Sequence, residues 1–349
     1  MLTPVVWGGL AVGFGFGIVG RWSGFCLLAG LRGWLSGEDG RMIRAFALAL
    51  AVALIGTQAL QSLGLIDTAR SVYARPSFPP LLVFLGGAIF GAGMALANGC
   101  GARALVLLGG GNLRSFVVIL CLAIAGYATM SGVLVPLRMS AGNLLVLDTG
   151  AVRTLPDLLA AAGMGRGPAT WLPALAIGGL LAGFALSHAP LRASPRHLLG
   201  GVGVGALIVA GWYVTGVIGA DDFDPAPLAS MSFIVPMGDA VLWLMLSTGK
   251  ALDFGAAVVI GVLIGSGLTA VAGRDVELRG FSSPAHMLRS MSGGALMGVG
   301  GVLAIGCSIG QGLSGLSTLA FTSLPAAAGI VAGALSVLRL LDAPVPARS

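Results

Sequence analysis

Three of the four cysteines stand in the same setting, at the end of a glycine-rich apolar stretch. The sequence leading to Cys100 is FGAGMALANGC, that leading to Cys307 is MGVGGVLAIGC, and that leading to Cys26 is FGIVGRWSGFC. A thiol is a weak hydrogen-bond donor, and its sulfur is a polarizable, weak acceptor. Thiols at these turns therefore suit a soft, sulfur-bearing anion better than chloride or phosphate, for which arginine is the expected partner.

The cysteines also have plainer interpretations. A buried cysteine often behaves as a small hydrophobe, and this is the favoured interpretation for Cys121, which lies among leucine, isoleucine and valine. Redox-active thiols are a further possibility for the other three, although a disulfide requires two Cα atoms within about 7 Å. No cysteine belongs to a CxxC or another close pair, and the three histidines are dispersed. The sequence therefore predicts no metal site.

The composition is that of a membrane protein. Apolar residues make up 56% of the 349 residues and charged residues 9%, and the mean hydropathy is +0.98. A soluble domain carries about 25% charged residues. The basic residues are scattered among apolar segments, which argues against a nucleic-acid partner. We predict an all-α integral membrane protein, with residues 1–349 forming a single transmembrane domain in the lipid bilayer.

About 20 apolar residues are needed to cross the hydrocarbon core. We predict nine such spans, at 4–20, 45–66, 80–98, 116–136, 170–187, 198–218, 252–272, 288–305 and 324–341. The apolar stretches that follow the three cysteines, at 27–35, 102–108 and 309–321, are too short to cross. Irregular backbone at membrane depth is tolerated only inside protein or beside a cavity. We therefore expect re-entrant half-helices, whose N-termini attract anions.

The glycine motif repeats along the chain. The segment that ends at Cys100 aligns with the one that ends at Cys307 at six positions, Gly91, Gly93, Leu96, Ala97, Gly99 and Cys100 matching Gly298, Gly300, Leu303, Ala304, Gly306 and Cys307. A weaker copy, VGVGALIVAGW, places Trp212 where the others have cysteine. Five spans separate equivalent turns, so these turns enter from opposite faces. This predicts two inverted-topology halves, 4–136 and 198–341, joined by a connector helix at 170–187; chance matches among 58 glycines are the alternative.

Loop charges predict the orientation of the chain. With the N-terminus outside and the C-terminus inside, the cytoplasmic segments hold 13 of the 19 basic residues. The outer segments then hold six, together with the acidic residues Asp221, Asp222 and Asp224. The positive-inside rule favours this orientation over the opposite one.

Four polar residues near the turns each have two interpretations. Gln311 lines a pathway or caps loop carbonyls. Asn98 and Ser308 orient a substrate or stabilise the turns. Arg103 raises the local anion concentration or anchors an inner loop.

Catalytic signatures are missing from the sequence. STGK, at 247–250, contains the only lysine but lacks the first glycine of a phosphate-binding loop. No predicted span contains a paired carboxylate of the kind that proton relays use. We therefore expect neither an enzyme with catalytic residues nor a cofactor.

The segments NGCGARALVLLGGGNLRS and GCSIGQGLSGLSTLAF resemble the two signature segments of the YeeE/YedE sulfur-transport family of bacterial inner-membrane proteins, and SGFCLLAGLRGW resembles its first cysteine segment. The resemblance extends from about residue 10 to 338. It implies an hourglass-shaped channel for thiosulfate uptake, in which short helices meet at a constriction. By motif, the cysteines along the path are Cys26, Cys100 and Cys307.

The resemblance also implies a mechanism and a partner. In the family, thiosulfate is passed between thiols by S–H···S hydrogen bonds, and some relatives work with a TusA-like sulfur-carrier protein on the cytoplasmic side. Other relatives are associated with selenium metabolism, so a selenium compound or another sulfur species is an alternative substrate. A membrane thiol sulfurtransferase is the alternative from the enzyme class.

Overall fold

A computed structural model describes residues 3–37, 40–143, 145–220 and 226–342, so the acidic residues 221, 222 and 224 lie outside the described part. The described chain is an all-α membrane protein whose helices are α1 Pro4–Ser23, α2 Leu27–Leu35, α3 Arg41–Ser62, α4 Pro80–Ala97, α5 Gly101–Gly109, α6 Leu113–Met130, α7 Val135–Gly142, α8 Leu155–Ala161, α9 Arg166–Leu186, α10 Ala189–Arg192, α11 Pro195–Tyr213, α12 Ile234–Leu246, α13 Phe254–Ala272, α14 Pro284–Leu303 and α15 Ser323–Asp342. Two short strands, β1 Ser77–Phe78 and β2 Leu147–Asp148, pair antiparallel between loops.

Each predicted span corresponds to a long helix. Within the described ranges, eight segments are long and apolar enough to cross a membrane. The remaining long helix, α14, has 20 residues but carries His286 and Arg289 in its first turns, which lowers its hydropathy. The span predicted at 116–136 was too long, because α6 ends at Met130 and the separate helix α7, with Pro136 in its first turn, begins at Val135.

The long helices pack mostly across the two predicted halves. Helix α1 packs on α13 and α3 on α11, whereas α4 packs on α15 and α6 on α14; α1 also contacts α11, and α4 contacts α14. The same set of pairs results when each helix of the first half is replaced by its counterpart in the second half and vice versa. The counterparts are α1 and α11, α3 and α13, α4 and α14, and α6 and α15. A duplicated pair of halves predicts this pattern.

The repeated glycines lie where helix backbones approach each other. A Cβ atom on Gly93 of α4 would lie 2.6 Å from the carbonyl oxygen of Gly293 in α14. A Cβ atom on Gly17 of α1 would lie 2.5 Å from the carbonyl oxygen of Val262 in α13. Small residues allow this close packing in membrane helices, so these glycines have a structural use that is independent of the cysteines they precede.

The structure corrects the interpretation of the fourth turn. The predicted spans leave the segment between residues 218 and 252 without a helix, yet α12 occupies part of it. Helix α12 packs on α13 and α6, just as α2 packs on α3 and α15, which makes α12 the counterpart of α2. Phe233, the residue before α12, therefore corresponds to Cys26. Trp212, which the motif alignment had placed there, lies inside α11 instead.

Candidate functional site

Two left-handed residues build the first two cysteine turns. Helix α1 ends at Gly24, with φ 70°, and α4 ends at Asn98, with φ 59°. Cys26 and Cys100 then occupy the N-cap positions of α2 and α5, which have nine residues each. The expected half-helices are thus present, and neither thiol makes a capping hydrogen bond. The first N–H groups of these helices lack partners within the helix, which favours an anion nearby.

The third turn has a different geometry. Ile305 and Gly306 both have positive φ, at 61° and 155°, and Cys307 then precedes a π-helical segment, Gly310–Gly315, rather than an α-helix. The sulfur of Cys307 accepts a hydrogen bond of 3.2 Å from the backbone N–H of Gly310. The short stretch expected at 309–321 is therefore a π-helical segment followed by turns.

The three turn thiols meet in one buried cluster. Their residues are only 6% exposed at Cys26, 4% at Cys100 and 2% at Cys307, and all are free thiols. Cys100 is central, since its thiol neighbours those of both Cys26 and Cys307. Cys121 does not join this cluster; it is half-buried on α6, and its Cβ packs near Gly294 of α14.

Ser308 brings an unsatisfied hydroxyl to the thiols. The residue is 1% exposed and its side chain neighbours Cys100. Within the described part of the chain, its Oγ has no hydrogen-bond partner. A buried polar group without a partner costs about 1–3 kcal/mol. The hydroxyl is therefore available to a ligand that reaches Cys100.

Gln311 caps loop carbonyls, as one of its two interpretations predicts. Its Nε2 donates to the carbonyl oxygens of Ala304 at 2.7 Å and Ile305 at 3.3 Å. Its Oε1 is buried without a partner among the described residues. Gln311 thus holds the turn before Cys307 in shape, and only its carbonyl oxygen is left for another contact.

Sequence reasoning missed the groups that surround Cys307. Ser232 and the backbone of Phe233, in the non-helical residues before α12, lie beside its thiol. The side chain of Tyr73, which is 3% exposed, interacts with both Ser232 and Cys307. No repeat or motif marks these residues, because their segments lie between the spans on which the alignment rests.

A cavity of about 400 Å³ opens beside Cys26 and Asn98 and is rich in arginine. Arg32 donates to Asn98 Oδ1 at 2.8 Å, and Arg114 donates to the carbonyl oxygen of Ala97 at 2.8 Å. Arg279 also lines this cavity.

Arg103 lines the same cavity but differs from Arg32 and Arg114. Arg103 lies one turn beyond Cys100 on α5. Among the described residues, its guanidinium has no hydrogen-bond partner. An arginine with free donors can bind an anion without first breaking an internal bond. The first cavity therefore combines a thiol, unpaired helix N–H groups and positive charge, which suits a small anion with a soft atom.

Comparison with known proteins agrees with this geometry. Residues 22–336 match the model of a family described as sulphur transport. The chain is 28% identical over 337 residues to the thiosulfate transporter TsuA of Spirochaeta thermophila, covering 91% of this chain and 94% of the relative. It is 26% identical over 333 residues to the thiosulfate transporter TsuA of Escherichia coli, covering 89% and 88%. With the family match extending over most of its length, this chain belongs to the sulphur-transport family.

Proposed function

We propose that the chain carries thiosulfate into the cytoplasm, past the thiols of Cys26, Cys100 and Cys307. The observation that supports this most is the convergence of three free, buried thiols from three separate turns. A purely structural role for all three would not require them to share one cluster.

The chemistry of the site fits both ends of thiosulfate. Thiosulfate has a soft terminal sulfur and charged oxygens. The thiols offer S–H groups and polarizable sulfur to the first, whereas arginine donors and helix N–H groups bind the second. Ser308 adds a hydroxyl beside Cys100. We infer that the substrate moves by exchange of hydrogen bonds, without a covalent intermediate and without a catalytic residue.

We also propose that the protein lies in the bacterial inner membrane with its N-terminus outside. The arginines of the first cavity belong to segments that this orientation places on the cytoplasmic side. Moving a dianion inward against 100 mV costs about 4.6 kcal/mol, at about 2.3 kcal/mol per charge. A TusA-like carrier that consumes thiosulfate in the cytoplasm would maintain the gradient, which is why we propose such a partner.

The test is growth of a bacterium that lacks sulfur uptake, with thiosulfate as the sole sulfur source. We expect rescue by the wild type and by Cys121→Ala, because Cys121 lies outside the thiol cluster. Cys100→Ala is expected to abolish rescue at matched membrane expression. Equal effects of Cys100→Ala and Cys121→Ala would contradict the proposed path.

The same strains separate the alternatives. Uptake of radiolabelled thiosulfate by whole cells distinguishes transport from a growth effect of another kind, and competition with selenite or sulfite tests other substrates. A sulfurtransferase would have an accessible, reactive thiolate. We instead expect slow alkylation of the three thiols by iodoacetamide near neutral pH, because all three are buried; rapid alkylation would favour the enzyme.

A further inference from the structure

A second cavity, of about 540 Å³, adjoins the first. Arg103, Leu107, Asn112 and Arg279 line both cavities, so the two are neighbours with a common wall. No cysteine lines the second cavity. In the described part of the chain, five arginines line it, namely Arg21, Arg103, Arg196, Arg274 and Arg279.

Backbone hydrogen bonds fix one wall of this second cavity. The segment after α13 crosses the turn between α5 and α6, where Glu277 N–H donates to the carbonyl oxygen of Gly110 at 3.1 Å. Leu113 N–H donates in return to the carbonyl oxygen of Arg279 at 3.0 Å. Arg21 reaches the same segment and donates to the carbonyl oxygen of Asp275 at 3.0 Å. Arg274 and Arg279 therefore belong to a wall that hydrogen bonds hold in place.

Among the described residues, two carboxylates accompany the five arginines, those of Asp275 and Glu277. Glu277 Oε2 lies 2.5 Å from a terminal nitrogen of Arg279. Hydrogen bonding from Arg279 lowers the pKa of Glu277 below its usual value, so this carboxylate is ionised at neutral pH. It occupies one terminal nitrogen of Arg279 that an entering anion would otherwise use, whereas the guanidinium of Arg103 has no hydrogen-bond partner among the described residues.

We propose that this second cavity binds a doubly charged tetrahedral oxyanion. The carboxylate of Glu277 competes with this anion for Arg279 and thereby speeds its dissociation. In the transport path this second cavity adjoins the first cavity, which contains Cys26. In this respect the inference rests on the proposed function. A site of five arginines without a competing carboxylate would hold a dianion tightly and slow its release. Because arginine recognises the charged oxygens, the site should accept sulfate as well as thiosulfate.

The test is equilibrium binding of radiolabelled sulfate to the full-length protein in lipid nanodiscs at low ionic strength. Glu277→Gln should bind sulfate about 5–10-fold more tightly than the wild type, since Arg279 is released, and Arg279→Gln several-fold more weakly. Arg166→Gln, at the remote start of α9, is the matched control for the loss of one arginine. Absence of sulfate binding by the wild type would overturn the proposal, as would shifts of affinity in the same direction for Glu277→Gln and Arg279→Gln.

Further variants keep this result independent of folding and of the transport proposal. Arg279→Lys should restore part of the affinity if charge is what matters, and melting temperatures identify variants that do not fold. Cys121→Ala should leave sulfate binding unchanged, because no cysteine lines the second cavity and Cys121 lies outside the thiol cluster; loss of binding in this variant would mean that sulfate does not bind at the arginines of this cavity. Arginine-dependent sulfate binding in a protein that fails to transport thiosulfate would leave this inference standing and remove the proposed function.

Discussion

The unsatisfied hydroxyl of Ser308 gives a prediction in which stability and function move in opposite directions. Its Oγ is buried beside Cys100 without a partner in the described part of the chain. Ser308→Ala removes a desolvated hydroxyl whose polar neighbour is the thiol of Cys100, a weak hydrogen-bond partner. Relief of that penalty should raise the free energy of unfolding by about 1–3 kcal/mol. The same change should slow thiosulfate uptake, because the substrate loses a donor next to the central thiol.

Ser317→Ala is the matched control, since it makes the same substitution at the same depth. The hydroxyl of Ser317 donates to the carbonyl oxygen of Ser314 at 2.7 Å and lies 3.1 Å from the hydroxyl of Thr57. It also accepts from the indole of Trp212 at 3.2 Å. Its removal leaves buried partners unsatisfied, so Ser317→Ala should lower the free energy of unfolding by about 1–3 kcal/mol.

The assay is thermal unfolding of the purified proteins in nanodiscs, followed by uptake in proteoliposomes at matched protein content. We expect an apparent melting temperature above wild type for Ser308→Ala and below it for Ser317→Ala. A destabilised Ser308→Ala protein would contradict this prediction, because it would mean that the hydroxyl already has a stabilising partner. A stabilised protein with normal uptake would remove Ser308 from the substrate path.

Three further predictions concern the scaffold and are measured by melting temperature and uptake. Gly93→Ala should prevent normal packing and lower the melting temperature, because its Cβ would lie 2.6 Å from a backbone oxygen of α14. Gly179→Ala, which has open space around it, should fold normally, and equal melting temperatures of the two variants would contradict this expectation. Trp212→Phe should lower the free energy of unfolding by about 1 kcal/mol through the lost hydrogen bond to Ser317 and should leave uptake unchanged. A loss of uptake would give Trp212 a role in the substrate path. Asn98→Ala should lower the free energy of unfolding by about 1–2 kcal/mol, because alanine is strained in the left-handed conformation at φ 59°. Asn98→Gly should lower it less, and the reverse order would contradict this explanation.

Much of the fold follows from the sequence because hydropathy reports the membrane directly. Lipid forces each span to be an apolar helix, so the nine spans and the half-helix at Leu27–Leu35 could be predicted closely. Hydropathy fails at α12, because 13 residues are too few for a span and the neighbouring segment follows no helical repeat. The alignment then assigned the fourth turn to Trp212, since glycine spacing was the only guide available.

The residues of the candidate site also fall into two groups, those that the sequence predicts and those that it does not. Cys26, Cys100 and Cys307 could be found because a repeat marks them, and their convergence follows from that repeat. Tyr73 and Ser232 carry no such mark, and their approach to Cys307 depends on how non-helical segments fold back into the protein. The glutamine at 311 was ambiguous for a related reason, since only coordinates reveal that its Nε2 already serves Ala304.

The packing of α1 on α13 has a consequence for how the protein is made. The backbone face around Gly13 of α1 is covered by Val258 of α13, which is synthesised 245 residues later, counting from position 13 to position 258. At about 5–20 residues per second, α1 waits in the bilayer for about 12–50 s before its partner emerges from the ribosome. During that time its bare glycine face meets lipid or a membrane chaperone. A ribosome that stalls between the two helices leaves behind a fragment that has inserted but cannot finish folding.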